Sequence, residues 1–272
     1  MRLQHPDGSE TFYKAVGNNP NRTLLLMHGI GADHTMWYPQ IDAFAAAGFH
    51  VLAPDLFGHG CSSKLGTQIS PANLASWHRQ INWLLEHHNI AKCVLIGVSM
   101  GGVIAQSFVV NYSQKVSQLI VADTFGELRT VREKLLGFSA TAGIAVFRAF
   151  GRERGRVLMK RAMKSTYKAP QAQLARAYFE AISTEIDLDQ TLLARKAINR
   201  IDSLNKLKNV PIPALVLVGE DFGKAFVEIN RKIATALPNA TMVTIKNAMD
   251  PSNLTNPVEF NQQVLSFLAQ PI

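Results

Sequence analysis

Gly97-Val98-Ser99-Met100-Gly101 stands between the apolar run Cys93-Val94-Leu95-Ile96 and the segment Gly102-Val103-Ile104-Ala105-Gln106. The order reads as strand, tight turn, helix. A serine at such a turn is held in a strained backbone geometry, and glycines flank it because a Cβ there would collide with the neighbouring strand or helix. Its hydroxyl is pushed out above the sheet. The amide of Met100 at the helix start faces the same space. A glycine-rich connection without chemistry can carry the same five residues, so the neighbouring stretches decide.

Upstream, Leu24-Leu25-Leu26-Met27-His28-Gly29-Ile30-Gly31 is an apolar run ending in His-Gly-x-Gly. Val51-Leu52-Ala53-Pro54-Asp55-Leu56-Phe57-Gly58-His59-Gly60 follows at the next strand. Three motifs in this order and spacing resemble the α/β-hydrolase fold superfamily, and the resemblance extends to the C-terminal pair of strands. It implies an α/β fold with a mostly parallel, doubly covered sheet and a helical cap inserted after the sixth strand.

The rest of the chain reads the same way. Leu3 to Val16, with Asp7-Gly8 as a turn, predicts an antiparallel hairpin at the sheet edge. Strands are expected at Thr23–Met27, His50–Pro54, Cys93–Ile96, Leu119–Ala122, Ala214–Val218 and Met242–Ile245. Apolar residues at three- and four-residue spacing predict helices at Trp37–Ala47, Ala72–His88, Met100–Tyr112, Lys224–Leu237 and Val258–Leu268. Short β-branched runs alternating with such helices are the pattern of a parallel sheet covered on both faces.

Between Asp123 and Pro213 lie 89 residues, where a simple crossover needs about a dozen. The surplus is helical in pattern. The resemblance places a cap at 125–206 over a core formed by 1–124 and 207–272. Phe138, Ile144, Phe147, Met159, Met163, Tyr167 and Phe179 are candidates for the pocket roof, although buried helix faces of a cap's own small core use the same side chains. Phe138, Phe147, Met163, His34 and Phe222 are the expected substrate-binding residues.

Acyl transfer by the resembled family needs a nucleophile, two amides for the oxyanion, and a base oriented by an acid, in the chain order Ser, Asp, His. Ser99 is the nucleophile candidate. Met100 and Ile30, with Gly31 second to Ile30, are the oxyanion amides. His28 and His59 read as structural parts of turns. The acid should follow Leu215-Val216-Leu217-Val218, where Gly219-Glu220-Asp221-Phe222 sets Asp221 one position early and Phe222 in the expected place. Asp221 is the first candidate, Glu220 the second and Asp123 the third.

The base is the sharper departure. Asn247-Ala248-Met249-Asp250-Pro251 matches the segment in which family members carry Gly-His, with Asp250 in the histidine's place. The eight histidines all lie at or before His88, so a Ser-Asp-His triad in the usual order cannot form. One explanation is altered chemistry, with Asp250 as a carboxylate base or orienting group. An ordinary carboxylate, of pKa about 4, is a poor base for a serine hydroxyl, and desolvation would raise it. Such a site suits opening an ester or lactone, cleaving a C–C bond beside a carbonyl, or a lyase or cyclase step. An inactivated variant of a serine hydrolase and a catalytically silent ligand-binding or sensor protein are the alternatives.

With 47% hydrophobic and 18% charged residues the 272-residue chain has the composition of a globular protein. It shows no signal-peptide core and no apolar stretch of about 20 residues, and its two cysteines, Cys61 and Cys93, read as free thiols, so a cytoplasmic location is expected. No cofactor and no metal are called for. The charge of +8 is confined to one region: 127–168 holds 11 Lys/Arg against 3 Glu, and the remainder is neutral. Nothing there resembles a nucleic-acid module. A small-molecule substrate, anionic or acyl, is the expected partner, and the apolar run Gly143-Ile144-Ala145-Val146-Phe147 beside the basic residues adds peripheral contact with anionic lipid as an alternative to a plain solvated surface.

Overall fold

Leu24 and Leu26 of strand β3 (Thr23–Met27) face one side of the sheet and Leu25 and Met27 the other, and all four are fully buried. Side chains alternate across a strand, so a run that is apolar at every position requires cover on both faces. The structure, a computed structural model, describes residues 1–67 and 69–270 and supplies that cover.

The other strands are β1 (Arg2–Gln4), β2 (Glu10–Val16), β4 (His50–Pro54), β5 (Cys93–Val98), β6 (Val116–Ala122), β7 (Ala214–Gly219) and β8 (Ala240–Ile245). They form one sheet in the order β1-β2-β4-β3-β5-β6-β7-β8. The β1–β2 hairpin is antiparallel and joins β4 antiparallel, while every later pairing is parallel. Helices α1 (Tyr38–Ala46) and α11 (Pro257–Leu268) cover one face through Ile41, Phe44, Phe260 and Val264. Helices α2 (Leu74–His87), α3 (Met100–Asn111) and α9 (Lys224–Ala236) cover the other through Trp77, Ile81, Val103, Phe108 and Ile233. Strands and covering helices stand where their periodicity places them. Cys61 and Cys93 are both free.

Four helices lie between β6 and β7 before the short α8 (Leu204–Leu207): α4 (Val131–Ala149), α5 (Arg152–Thr166), α6 (Gln173–Ile182) and α7 (Leu188–Ile198). The chain enters and leaves this insert at one neck. Glu127 and Asp202 form an antiparallel bridge, and the Ser203 amide donates to the Gly126 carbonyl at 2.9 Å. A capping box of Thr130 and Glu133 starts α4, and Lys232 of α9 donates to Glu133 at 2.5 Å, tying the insert to the core. The last short helix, α10 (Ser252–Thr255), precedes α11.

Candidate active site

The strain expected at Ser99 is present. Its φ is 53° and ψ −113°, between β5 and the first residue of α3. The conformation is fixed by its neighbours: its amide donates to Ala122 O at 2.9 Å and its carbonyl accepts from Thr124 Oγ1 at 2.7 Å. A Cβ on Gly97 would stand 2.3 Å from Gly101 O, and one on Gly101 would stand 2.0 Å from Met27 O. Only glycines permit the turn. Gly29, at the end of β3, lies directly against Ser99, and a Cβ there would be 3.6 Å from that of Ser99. The loop carrying Ile30 therefore begins beside the serine.

Asp250, after β8, is half-buried, and its carboxyl faces the Ser99 side chain, which favours its charged form. Behind it is the carboxyl of Asp123, at the end of β6, with φ of 49°. Two amides hold Asp123: Gly219 donates to Oδ1 at 2.9 Å and Ser252 to Oδ2 at 2.6 Å. Burial raises the pKa of both acids, and for Asp250, which lies well above the usual carboxylate range, the charge of Asp123 adds to it. Two adjacent carboxyls cannot both ionise without mutual repulsion, so the pair titrates as a unit. Asp123, backed by two N–H donors, is the better seat for the negative charge and Asp250 the better seat for the proton.

Arg195 of α7 reaches down from the insert toward Asp250 and is only 8% exposed. Its guanidinium lies 5.5 Å from the Phe125 ring centroid, and its Nε has no hydrogen-bond partner among the described residues. Burial lowers its pKa and the charge of Asp250 opposes that shift. Tyr167, stacked on Phe179, donates its hydroxyl to the Asp250 carbonyl at 2.9 Å. Insert and core therefore meet around one small set of charged groups.

Several expected site residues stand elsewhere. Asp221 is exposed, its amide held by Ala248 O at 2.8 Å and its carboxylate reached by Gln171 at 3.3 Å, so it does not join Ser99 and Asp250. Glu220 is exposed beside it. Phe222 packs on Phe226 at the surface. The displacement by one residue is real: a 3₁₀ turn at Glu220–Phe222 directs these side chains outward. Phe138 is 70% exposed on the outer side of α4. Phe147 and Met163 pack with Met159, Ile186 and Leu188 in the insert's own core, and Met163 also touches the core domain's cluster.

His28 and His59 are buried and neutral, with pKa values lowered to about 4 and about 3 by burial. His28 donates from Nδ1 to Gly29 O and accepts at Nε2 from Leu56 N, which shapes the loop below Ser99. His34 is bound to Asp55 at 2.7 Å through Nδ1. Asp33, His34 and Asp55 together have the spacing of a cation site, but protein donors occupy Asp33 and Asp55: Tyr178, Thr35, His34 and Cys61. A cleft of about 200 Å³ opens beside them between Gly31, His59 and the insert residues Ile186 and Gln190; Ser99 does not line it.

Residues 22–257 match the family described as alpha/beta hydrolase fold, and the chain belongs to that family. It is 27% identical to the 2-hydroxy-6-oxononadienedioate/2-hydroxy-6-oxononatrienedioate hydrolase of Paraburkholderia phymatum, over 91% of this chain and 87% of that protein. It is 24% identical to the (E)-2-((N-methylformamido)methylene)succinate hydrolase of Acinetobacter baylyi, over 90% and 89%. The bromoperoxidase structure from Bacillus anthracis superposes with a TM-score of 0.84 at 20% identity, over 99% of this chain and all of that one, a likeness of fold. The chain is thus an α/β-hydrolase protein whose relatives hydrolyse carbonyl compounds.

Proposed function

We propose that the protein is an enzyme that acts on an anionic carbonyl compound, an ester, a lactone or a C–C bond beside a carbonyl, with Ser99 as nucleophile and the Asp250–Asp123 pair in place of histidine. The juxtaposition of Ser99, Asp250 and Asp123 supports it most. Once the Asp250 carboxyl has given up its proton, Ser99 Oγ attacks the carbonyl carbon and its own proton passes to the Asp250 carboxylate, whose raised pKa makes it a stronger base than an ordinary carboxylate. The oxygen that becomes negative is held by the Met100 and Ile30 amides. Collapse expels the alkoxide or enolate, which takes the proton back from Asp250, and water then releases the acyl group from Ser99 by the same steps reversed.

Arg195 is the natural partner for an anionic group on the substrate. The buried Nε of its guanidinium is an unused donor, and both relatives named above act on compounds whose names denote dicarboxylates. A silent binding protein is the second reading, favoured by the lack of any histidine after His88, which leaves Asp250 where the family carries its base.

The test is turnover of enol-lactones and β-keto dicarboxylates, read by mass spectrometry. Ser99→Ala is expected to abolish it, and Arg195→Met to raise KM with less change in kcat. In parallel, Asp250→His places an imidazole between Ser99 and Asp123 and should create p-nitrophenyl acetate esterase activity that Ser99→Ala removes. Ligands recovered unchanged would establish the binding reading. A folded Asp250→His protein without ester turnover would remove the nucleophilic role of Ser99.

A further inference from the structure

Helix α4 is amphipathic in the wrong direction for a helix covering a core. Its inner side, Glu133, Leu136 and Gly137, packs against the protein. Its outer side carries Val131, Leu135, Phe138, Val146 and Phe150, each between 52% and 77% exposed. At spacings of four, three and eight residues, 131, 135, 138 and 146 fall on one stripe, and Phe150 extends it at the C-terminal edge. The stripe runs on the order of 25 Å. Single exposed apolar residues are ordinary on a surface; a row along one helix is not.

Beside it runs the most basic helix of the chain. α5 follows through Gly151 and crosses α4 closely at Gly155, where a Cβ would stand 2.1 Å from Phe147 O. Its outer side carries Arg152, Arg154, Lys160, Arg161 and Lys164, with Val157 exposed among them. Among the described residues none of these five cations takes part in an ion pair, and Glu180, which lies near Lys160 and Lys164, is already bonded to Arg176. With α4 and the flanking residues, 127–168, this helix holds the positive excess of the chain.

We infer that α4 and α5 dock on an anionic lipid surface, with the α4 stripe inserted among the headgroups and the α5 cations facing the phosphates. Exposed apolar and cationic groups on two adjacent helices match both parts of such an interface. A second copy of the chain is a poor occupant, because a two-fold contact would set two segments of +8 against each other. The contact is peripheral, since no helix among the described residues is long and apolar enough to cross a membrane.

The experiment is vesicle co-sedimentation at about 100 mM salt, where charges are screened beyond about 10 Å. Vesicles of phosphatidylcholine with about a third phosphatidylglycerol are expected to bind the protein, and phosphatidylcholine alone is not. The triple variant Leu135→Ser, Phe138→Ser, Val146→Ser and the triple variant Lys160→Glu, Arg161→Glu, Lys164→Glu should each weaken binding about tenfold or more, with the circular dichroism spectrum unchanged. No binding to the phosphatidylglycerol vesicles would overturn the inference. So would binding that the serine variant retains, which is adsorption by charge alone, or a solution dimer that the serine variant dissolves.

Discussion

Asp55, fully buried, and Asp250, half-buried, lie at the C-terminal ends of strands of the same sheet, one following β4 and the other β8, and their partners push them in opposite directions. Burial alone raises a carboxyl pKa. At Asp55 it is outweighed by the His34 imidazole and the amides of Cys61 and His34, which hold the carboxyl below the usual range. At Asp250 burial and the charge of Asp123 act together and outweigh the opposing effects of Arg195 and the Ser99 hydroxyl. Partner, not depth, decides which acid is a fixed anion that braces a loop and which keeps a proton to exchange.

The largest effect should come from removing the exchangeable proton. Asp250→Asn keeps the shape and is expected to lower kcat on any turned-over substrate by about 10²- to 10⁴-fold, measured against Asp250→Glu, which should retain part of the rate. An undiminished Asp250→Asn rate would make Asp250 a second structural acid, like Asp55.

Next comes the opposite substitution. Asp55→Asn removes a charge that answers an imidazole and two amides, and should cost about 2–3 kcal/mol of stability by urea denaturation at pH 7. A neutral result would mean that the contrast between the two acids has no energetic content.

Asp250→Asn should move stability the other way. A carboxyl whose folded pKa is raised favours the fold below its unfolded value, and that contribution is lost as pH rises through the folded value. The variant, which cannot ionise, is therefore expected to be more stable than the parent by roughly 1 kcal/mol at pH 8 and no more stable at pH 3, in calorimetric scans. A gain that persists at pH 3 would trace to packing and not to charge.

The smallest effect belongs to Glu133, lowered to about 2 against the opposing effect of burial, by Lys232, the Thr130 and Arg129 amides and the Thr130 hydroxyl. A depressed carboxyl stabilises above its unfolded pKa and loses that contribution as pH falls through the folded one. Since Lys232 is 41% exposed, screening limits Glu133→Gln to about 0.5 kcal/mol at pH 7, vanishing near pH 2. Proteolysis of the insert should be faster in that variant at pH 7 and equal to the parent's at the acid end.

The sheet, its covering helices and the Ser99 turn were legible because periodicity and glycine placement are local properties. The place of Asp250 was legible for the same reason: no histidine follows His88, and Asp250 stands where the resembled family carries one. Asp123 ranked last among the acids because its position depends on a left-handed backbone at the end of β6, which no flanking residue announces. Asp221 ranked first because a shift of one residue looks small along a chain, whereas at a 3₁₀ turn it reverses where a side chain points. Arg195 had no signal: Ala194-Arg195-Lys196 reads as an ordinary solvated helix face until α7 is folded down over Asp250. The exposure of Phe138 was hidden by the opposite ambiguity, since an apolar stripe does not say which of its sides is covered.

The neck at Gly126–Glu127 and Asp202–Ser203 means that β6 and β7 meet a closed loop whose two ends are already joined by hydrogen bonds. Closing a loop costs only a logarithm of its length, and here the closure is made at the root, before any of the four helices is counted. The sheet's register is therefore indifferent to what hangs above it. The helices above this root can differ in length and packing while Ser99, Asp123 and Asp250 below it stay in place.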